Sequence, residues 1–206
     1  MSENKIPNEG IIGMVRFSYL NVFTTRLNEN KQPAVYEYSV LLMIPKKPNE
    51  FNPNPVETVK KLNALIKAGL DSKFKNGTPA VWTNPLKDGD KDLNKDTGEP
   101  RNPGYWTISA TAGEAFKPLL IDGARNPVTS GWQSGDWGMV KVRMFGYDAK
   151  GNKGVSCGLK AIQFLRHDEP IGGGITTPDE FDELDGDAPL TGAPAQSEDE
   201  YDPFAE

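Results

Sequence analysis

Residues 139–166 read MVKVRMFGYDAKGNKGVSCGLKAIQFLR. Val140, Val142 and Met144 alternate with Lys141, Arg143, Phe145 and Tyr147, the period of two that gives a strand one buried and one outward face. Asp148-Ala149-Lys150-Gly151-Asn152-Lys153-Gly154 has the composition of a hairpin loop, and GVSCGLKAIQFL, 154–165, reads as a second long strand. The stretch therefore predicts an antiparallel hairpin whose outward face carries two cations followed by two aromatics.

Upstream, three further segments have strand character. In GMVRFSYLNVFTT, 13–25, Val15, Phe17, Tyr19 and Phe23 alternate with Met14, Arg16, Ser18 and Leu20. VYEYSVLLMI, 35–44, is β-branched and aromatic and stops at Pro45, and YWTISATA, 105–112, separates Trp106, Ile108 and Ala110 from Tyr105, Thr107 and Ser109. One helix interrupts them. Asn54 is placed to cap it, Pro55 opens it, and Glu57 follows three residues after the cap. Val56, Val59, Leu62, Leu65 and Ile66 make its apolar stripe, and Gly69 marks its expected stop. A long polar connection follows from Thr83 to Pro103. Five strands, one helix and long loops predict a mainly β protein, a five-stranded OB-fold-like Greek-key barrel. A β-sandwich is the alternative, because the helix falls between the second and third strands rather than the third and fourth.

Charge divides the chain. Up to Arg166 there are 23 basic and 16 acidic residues, a net of +7, whereas from His167 onward there are 13 acidic residues and no basic ones, a net of −13. The segment 168–206 is rich in Gly, Pro, Asp, Glu, Thr and Ser and is expected to be disordered, since it cannot bury enough apolar area to offset its conformational entropy. The expected organisation is a folded domain over 1–167 and an acidic tail over 168–206. A basic body joined to an acidic tail points toward nucleic acid. The longest apolar run, Val40–Ile44, is too short to span a bilayer, and MSENKIPNEG lacks the pattern of an export signal. The single cysteine, Cys157, fits a reducing cytoplasm and a buried strand position, and with the single histidine, His167, it cannot build a structural zinc site.

Single-stranded nucleic acid calls for cations to meet phosphates and flat rings on which bases stack. Lys141, Arg143, Phe145 and Tyr147 supply both on one face, with Arg16, Tyr36, Tyr38, Tyr105, Lys150 and Lys153 as supporting candidates. The bland reading of each is a solvated edge or cross-strand packing. Lys87, Lys91, Lys95 and Arg101 could follow a backbone, but acids lie among them. Asp88, Asp90, Asp92, Asn94, Asp96 and Glu99 fall at the ligand spacing of a calcium loop, yet Leu93 stands where that loop needs glycine and prolines rather than helices flank it. No glycine-rich phosphate loop or histidine pair is present, so neither an enzyme nor a cofactor is expected.

Two stretches resemble the single-stranded DNA-binding proteins of tailed bacteriophages: GVSCGLKAIQFLRHDEPIGGG, 154–174, where the last strand enters a linker, and the tip DEYDPFAE, 199–206. The tip is also similar to the acidic Pro-Phe ending of cellular bacterial single-stranded DNA-binding proteins, except that Ala205 and Glu206 follow Phe204. The resemblance implies sequence-nonspecific coating of single-stranded DNA in phage replication, recombination or repair, within the bacterial host's cytoplasm. It also implies a tail that recruits replication or recombination proteins through Asp199, Glu200, Tyr201, Asp202, Pro203 and Phe204, and that competes with DNA. A homodimer is left open, and no membrane partner is implied. The rival reading is a protein-binding β-domain adaptor carrying an acidic linear motif.

Overall fold

The structure, a computed structural model, describes residues 8–149 and 151–172. Its elements in chain order are β1 (Glu9–Asn28), β2 (Val35–Pro45), α1 (Pro55–Lys73), β3 (Lys87–Asp88), β4 (Tyr105–Gly113), β5 (Leu119–Ile121), β6 (Trp137–Ala149) and β7 (Asn152–Arg166). The five long strands are those the sequence predicts, each extended by a few residues at its ends. The two short ones lie within stretches whose polar or turn-rich composition conceals them.

The long strands close on themselves. β1 pairs antiparallel with β2 through its second half and with β6 through its first, β2 pairs with β4, and β6 pairs with β7. A parallel contact between Thr111 of β4 and Gly158 of β7 completes the barrel, in the order β1-β2-β4-β7-β6 and back to β1. This is an OB-fold-like Greek-key barrel, and the sandwich alternative falls away. β3 adds to β4, and β5 lies parallel to β7.

Closure requires β1 to serve two neighbours around a tight curve, and bulges supply the bend. Its register shifts between Ile12 and Val15 and again between Ser18 and Asn21, with Met14 and Tyr19 at φ of 47° and 48°. Each bulge resets the alternation. Ile12, Val15, Phe17 and Val22 point inward, while Tyr19, expected on the core side with Phe17, is turned out and is 70% exposed. The interior is filled by Val40, Leu42 and Ile44 of β2, Ile108 and Ala110 of β4, Val140, Val142 and Met144 of β6, and Cys157, Leu159, Ile162 and Phe164 of β7. Burial pushes the Cys157 thiol up to about 12.

Helix α1 begins as predicted, with the Asn54 side chain accepting from the Glu57 N–H at 3.3 Å. Leu62, Leu65, Ile66 and Leu70 join the barrel core against β6 and β1, while Val56 is exposed. Gly69 does not end the helix, which continues to Lys73. It is instead the point of closest approach to β6: a Cβ there would lie 2.7 Å from the Met144 Cβ and 2.8 Å from its carbonyl carbon. Since backbone cannot swing aside as a side-chain tip can, Gly69→Ala is expected to cost roughly 1–3 kcal/mol of stability. Urea unfolding measures this, and an unchanged midpoint would mean that the helix can slide off β6 without loss. No described helix is long and apolar enough to cross a membrane.

Candidate nucleic-acid interface

Apart from Leu41, the outward side chains of β2 and β4 are small or polar where the strands lie side by side: Ser39 on β2, and Thr107, Ser109 and Thr111 on β4. Small residues leave a depression, and two loops raise its sides. Two cavities of about 460 and 400 Å³ lie here and share Arg26, Leu41, Asp92 and Ser109, so they form one groove. Arg26 and Lys31, at and beyond the end of β1, line one wall. Pro85, Lys87, Asp92, Arg101 and Asn102, from the long connection between α1 and β4, line the other.

That connection is held in place by an ion-pair staple. The Lys46 ammonium, just past β2, binds Asp88 and Asp90, with the Asp90 contact at 2.6 Å, and lies 4.7 Å from the Trp106 ring centre. The hydrogen bond from Lys46 holds the Asp88 carboxyl below its usual range and does the same to Asp90, which also accepts from the Gly104 N–H at 2.6 Å. The first two carboxylates of the calcium-like spacing are thus committed to an ammonium group. β3, paired to β4 through Lys87 and Asp88, makes the second attachment.

Four cations, Arg26, Lys31, Lys87 and Arg101, and two acids, Glu37 and Asp92, line the groove. Glu37 is only 2% exposed and is neutralised locally by Lys31, with Asn28 donating to it at 2.7 Å. Arg26 donates through Nε to Ser39 at 3.0 Å, which fixes its guanidinium beside the floor. Among the described residues no carboxylate pairs with Arg26, Lys87 or Arg101. Tyrosines stand at the groove's two ends: Tyr147 from β6, opposite Gly154, in the first cavity, and Tyr19 from the bulge of β1 in the second. Cations along a trough with rings at its ends can hold a polyanion whose units carry flat faces.

The sequence-derived candidates fare unevenly. Lys141, Arg143 and Phe145 are exposed on the outer face of β6, as the alternation predicts, and Tyr147 continues that row into the groove. Lys141 is paired with Glu9 at 2.9 Å, a hydrogen bond that holds the Glu9 carboxyl low. Tyr38 packs toward the core, Tyr36 is exposed beyond the groove, and Tyr105 is half-buried beside Asn102. Lys153 is exposed 3.8 Å from Asp148. Lys150 and the tail positions Asp199, Glu200, Tyr201, Asp202, Pro203 and Phe204 lie outside the described residues. Tyr19, Arg26 and Lys31 are the lining residues that sequence reading passes over. The signal available for Arg26 and Lys31 was their place around the connection from the first strand to the second, one of the two loops through which OB-folds bind oligonucleotides.

Arg16 is already engaged. It donates to the carbonyls of Gly135 and Glu169, both at 2.9 Å, and pairs with Asp168 at 3.2 Å. Asp168 in turn accepts from the Trp137 indole N–H at 2.8 Å, and the Ile171 N–H donates to Ser134 at 3.0 Å. His167 stacks on Trp132 at 4.1 Å and lies 3.2 Å from the fully buried Asp136. Residues 167–171, mostly assigned to the tail by composition, are therefore tied to the barrel rim. Partial burial acts to raise the Asp168 carboxyl, but donation by Trp137 and the Glu169 N–H and the Arg16 charge outweigh it and hold it low. Stability from a lowered carboxyl is complete above its unfolded value and lost as pH falls through its folded one. The Trp137 indole N–H resonance is accordingly expected to hold its position down to about pH 4, the ordinary Asp value, and to shift only below it. A shift centred well above pH 4 would contradict the anchor.

Known proteins match this chain in sequence and in fold. The sequence model of the family described as Enterobacter phage Enc34, ssDNA-binding protein, matches residues 8–191. A protein designated p50 from Acyrthosiphon pisum secondary endosymbiont phage 1 is 28% identical over 165 residues, covering 73% of this chain and 81% of that one. Among solved structures, the single-stranded DNA-binding protein from bacteriophage Enc34 in complex with ssDNA superposes with a TM-score of 0.63 at 22% identity, covering 80% of this chain and 90% of that chain. Gp2.5, a single-stranded DNA-binding protein encoded by bacteriophage T7, gives 0.50 at 14% identity, covering 88% and 98%. At these identities the two structures speak for the barrel alone.

Proposed function

Because the chain belongs to the family of phage single-stranded DNA-binding proteins typified by that of Enterobacter phage Enc34, we propose that it coats single-stranded DNA without sequence preference, holding the strand in the groove over β2 and β4. The observation that carries this reading is the groove itself, with Arg26, Lys31, Lys87 and Arg101 along its walls and Tyr19 and Tyr147 at its ends. The floor of Ser39, Thr107, Ser109 and Thr111 suits any base, because it offers short hydroxyls rather than a fixed fork of donors. In an infected bacterial cytoplasm such coating serves replication, recombination or repair, and the acidic tail recruits the proteins of those processes. No catalytic step is part of this reading.

Titration of the full chain with labelled oligo(dT), a matched duplex and a matched RNA tests it. Oligo(dT) is expected to bind far more tightly than the duplex, with affinity falling steeply as salt rises, since each phosphate neutralised releases counterions. Salt-independent binding, or none, would favour the adaptor reading. The tail adds a second expectation. A tethered acidic segment competes with phosphate for the same cations at high effective concentration. Cutting after Gly172 keeps Asp168 and Ile171 in place while removing residues 173–206 and is expected to tighten oligo(dT) binding several-fold at low salt, an effect of the order that tethering permits. Equal affinities would remove the tail from the binding account.

A further inference from the structure

The groove reaches the outer face of β6. Tyr147 lines it, and Tyr147 is also the first member of an outward row on β6 that continues through Phe145, Arg143 and Lys141. On β7, the residues paired with this row are Gly154 opposite Tyr147, Ser156 opposite Phe145 and Gly158 opposite Arg143. All three are small, which lets the row's side chains lie low over β7. The rings also lie close over β7: a Cβ on Gly154 would be 2.7 Å from the Tyr147 hydroxyl, and one on Gly158 would be 3.1 Å from the Phe145 ring. Phe145 is nonetheless 45% exposed. Beyond it the surface becomes basic. Arg143, Lys141 and Lys160 all lie close enough to Glu9 to hold its carboxyl low, so three cations surround that one acid.

We propose that the DNA strand leaves the groove past Tyr147 and continues along the outer face of β6, with Phe145 as a stacking platform and Arg143, Lys141 and Lys160 as phosphate partners. This second segment rests on the reading of the groove given above. Helix α1 approaches β6 from Met144 and Gly146, the opposite set of positions, and leaves the outward row uncovered. From Tyr147 to Lys141 the row measures about 20 Å at strand spacing. That length accommodates at most about six nucleotides at stacked spacing, and fewer if the strand is stretched. An exposed aromatic flanked by cations and continuous with a polyanion groove matches a single strand in both charge and surface character.

The test uses two lengths of labelled oligo(dT) with the full chain: a short one that occupies the groove alone, and one past the length at which the parent's affinity stops rising. Replacing Lys141, Arg143 and Lys160 together by alanine is expected to leave short-oligonucleotide affinity within about twofold and to lower the salt slope for the long one by about two, the amount for three phosphate contacts. Phe145→Leu keeps an apolar side chain without the flat ring, and is expected to weaken long-oligonucleotide binding about fivefold or more. Parental affinity and slope for the long oligonucleotide in both variants would overturn the proposal. Equal weakening at both lengths would overturn it too, since the face would then act through the fold and not as a separate segment. A parent chain that bound neither length would instead sink the reading of the groove on which the segment depends.

Discussion

Replacing Arg26, Lys87 and Arg101 together by alanine is expected to lower the salt slope of single-stranded DNA binding by about two and to weaken binding at low salt by about a hundredfold. These three cations line the groove, and none has a carboxylate partner among the described residues. Their removal therefore subtracts phosphate contacts without leaving an acid unpaired. Lys31 is excluded from the variant on purpose. It neutralises Glu37, which is 2% exposed, and its loss would leave a buried charge held only by Asn28. That defect costs fold stability and would confuse the result. An unchanged slope in a folded variant would mean that phosphates run elsewhere on the barrel.

The tyrosines at the groove's ends make the second large prediction. Tyr19→Ala and Tyr147→Ala are each expected to weaken binding by about 1–3 kcal/mol, the range for a base stacked on an aromatic ring. Tyr19 permits a sharper version. Its φ of 48° is a conformation that glycine adopts without cost and tyrosine does not, and the ring is 70% exposed, so little packing is lost with it. Tyr19→Gly is therefore expected to bind DNA as poorly as the alanine variant while unfolding at an equal or higher urea concentration. A residue held in strained backbone for its ring alone predicts that divergence of stability from affinity. If Tyr19→Gly lost both together, the bulge would be serving the fold.

The barrel was legible because it obeys a local rule. A period of two in 105–112 and 139–148 and a β-branched, aromatic run in 35–44 are visible without knowing any partner, and the closed order follows once these strands pair with β1 and β7. Bulges break that rule without changing composition. Nothing in Ser18-Tyr19-Leu20 announces that the alternation restarts there, so Tyr19 reads as core and emerges as a groove residue. Gly69 misleads in a related way, since a glycine for a helix stop and a glycine for close approach to β6 look alike until the neighbour is placed.

The site was less legible than the fold, because closure assembles it from three separated stretches. Tyr19, Arg26 and Lys31 of β1 and the turn after it, the connection from Pro85 to Asn102, and Tyr147 are far apart in sequence and meet only across the barrel's outer face. Alternation on one strand could find Tyr147 and its row. It could not find a groove whose walls are loops. Charge alone was also ambiguous: Arg16 and Arg26 are both cations of β1, yet the first is spent on Asp168, Gly135 and Glu169 while the second faces the groove.

Photo-crosslinking reads the path of the strand directly. Oligo(dT) carrying 5-bromodeoxyuridine is bound to the full chain at low salt and irradiated, and the modified residues are identified by mass spectrometry. Adducts on Tyr19 and Tyr147, suppressed in the Arg26, Lys87 and Arg101 variant, are the expected result. Adducts confined to helix α1 or to the rim around Trp132 and His167, with none in the groove, would contradict the central claim that the strand lies over β2 and β4.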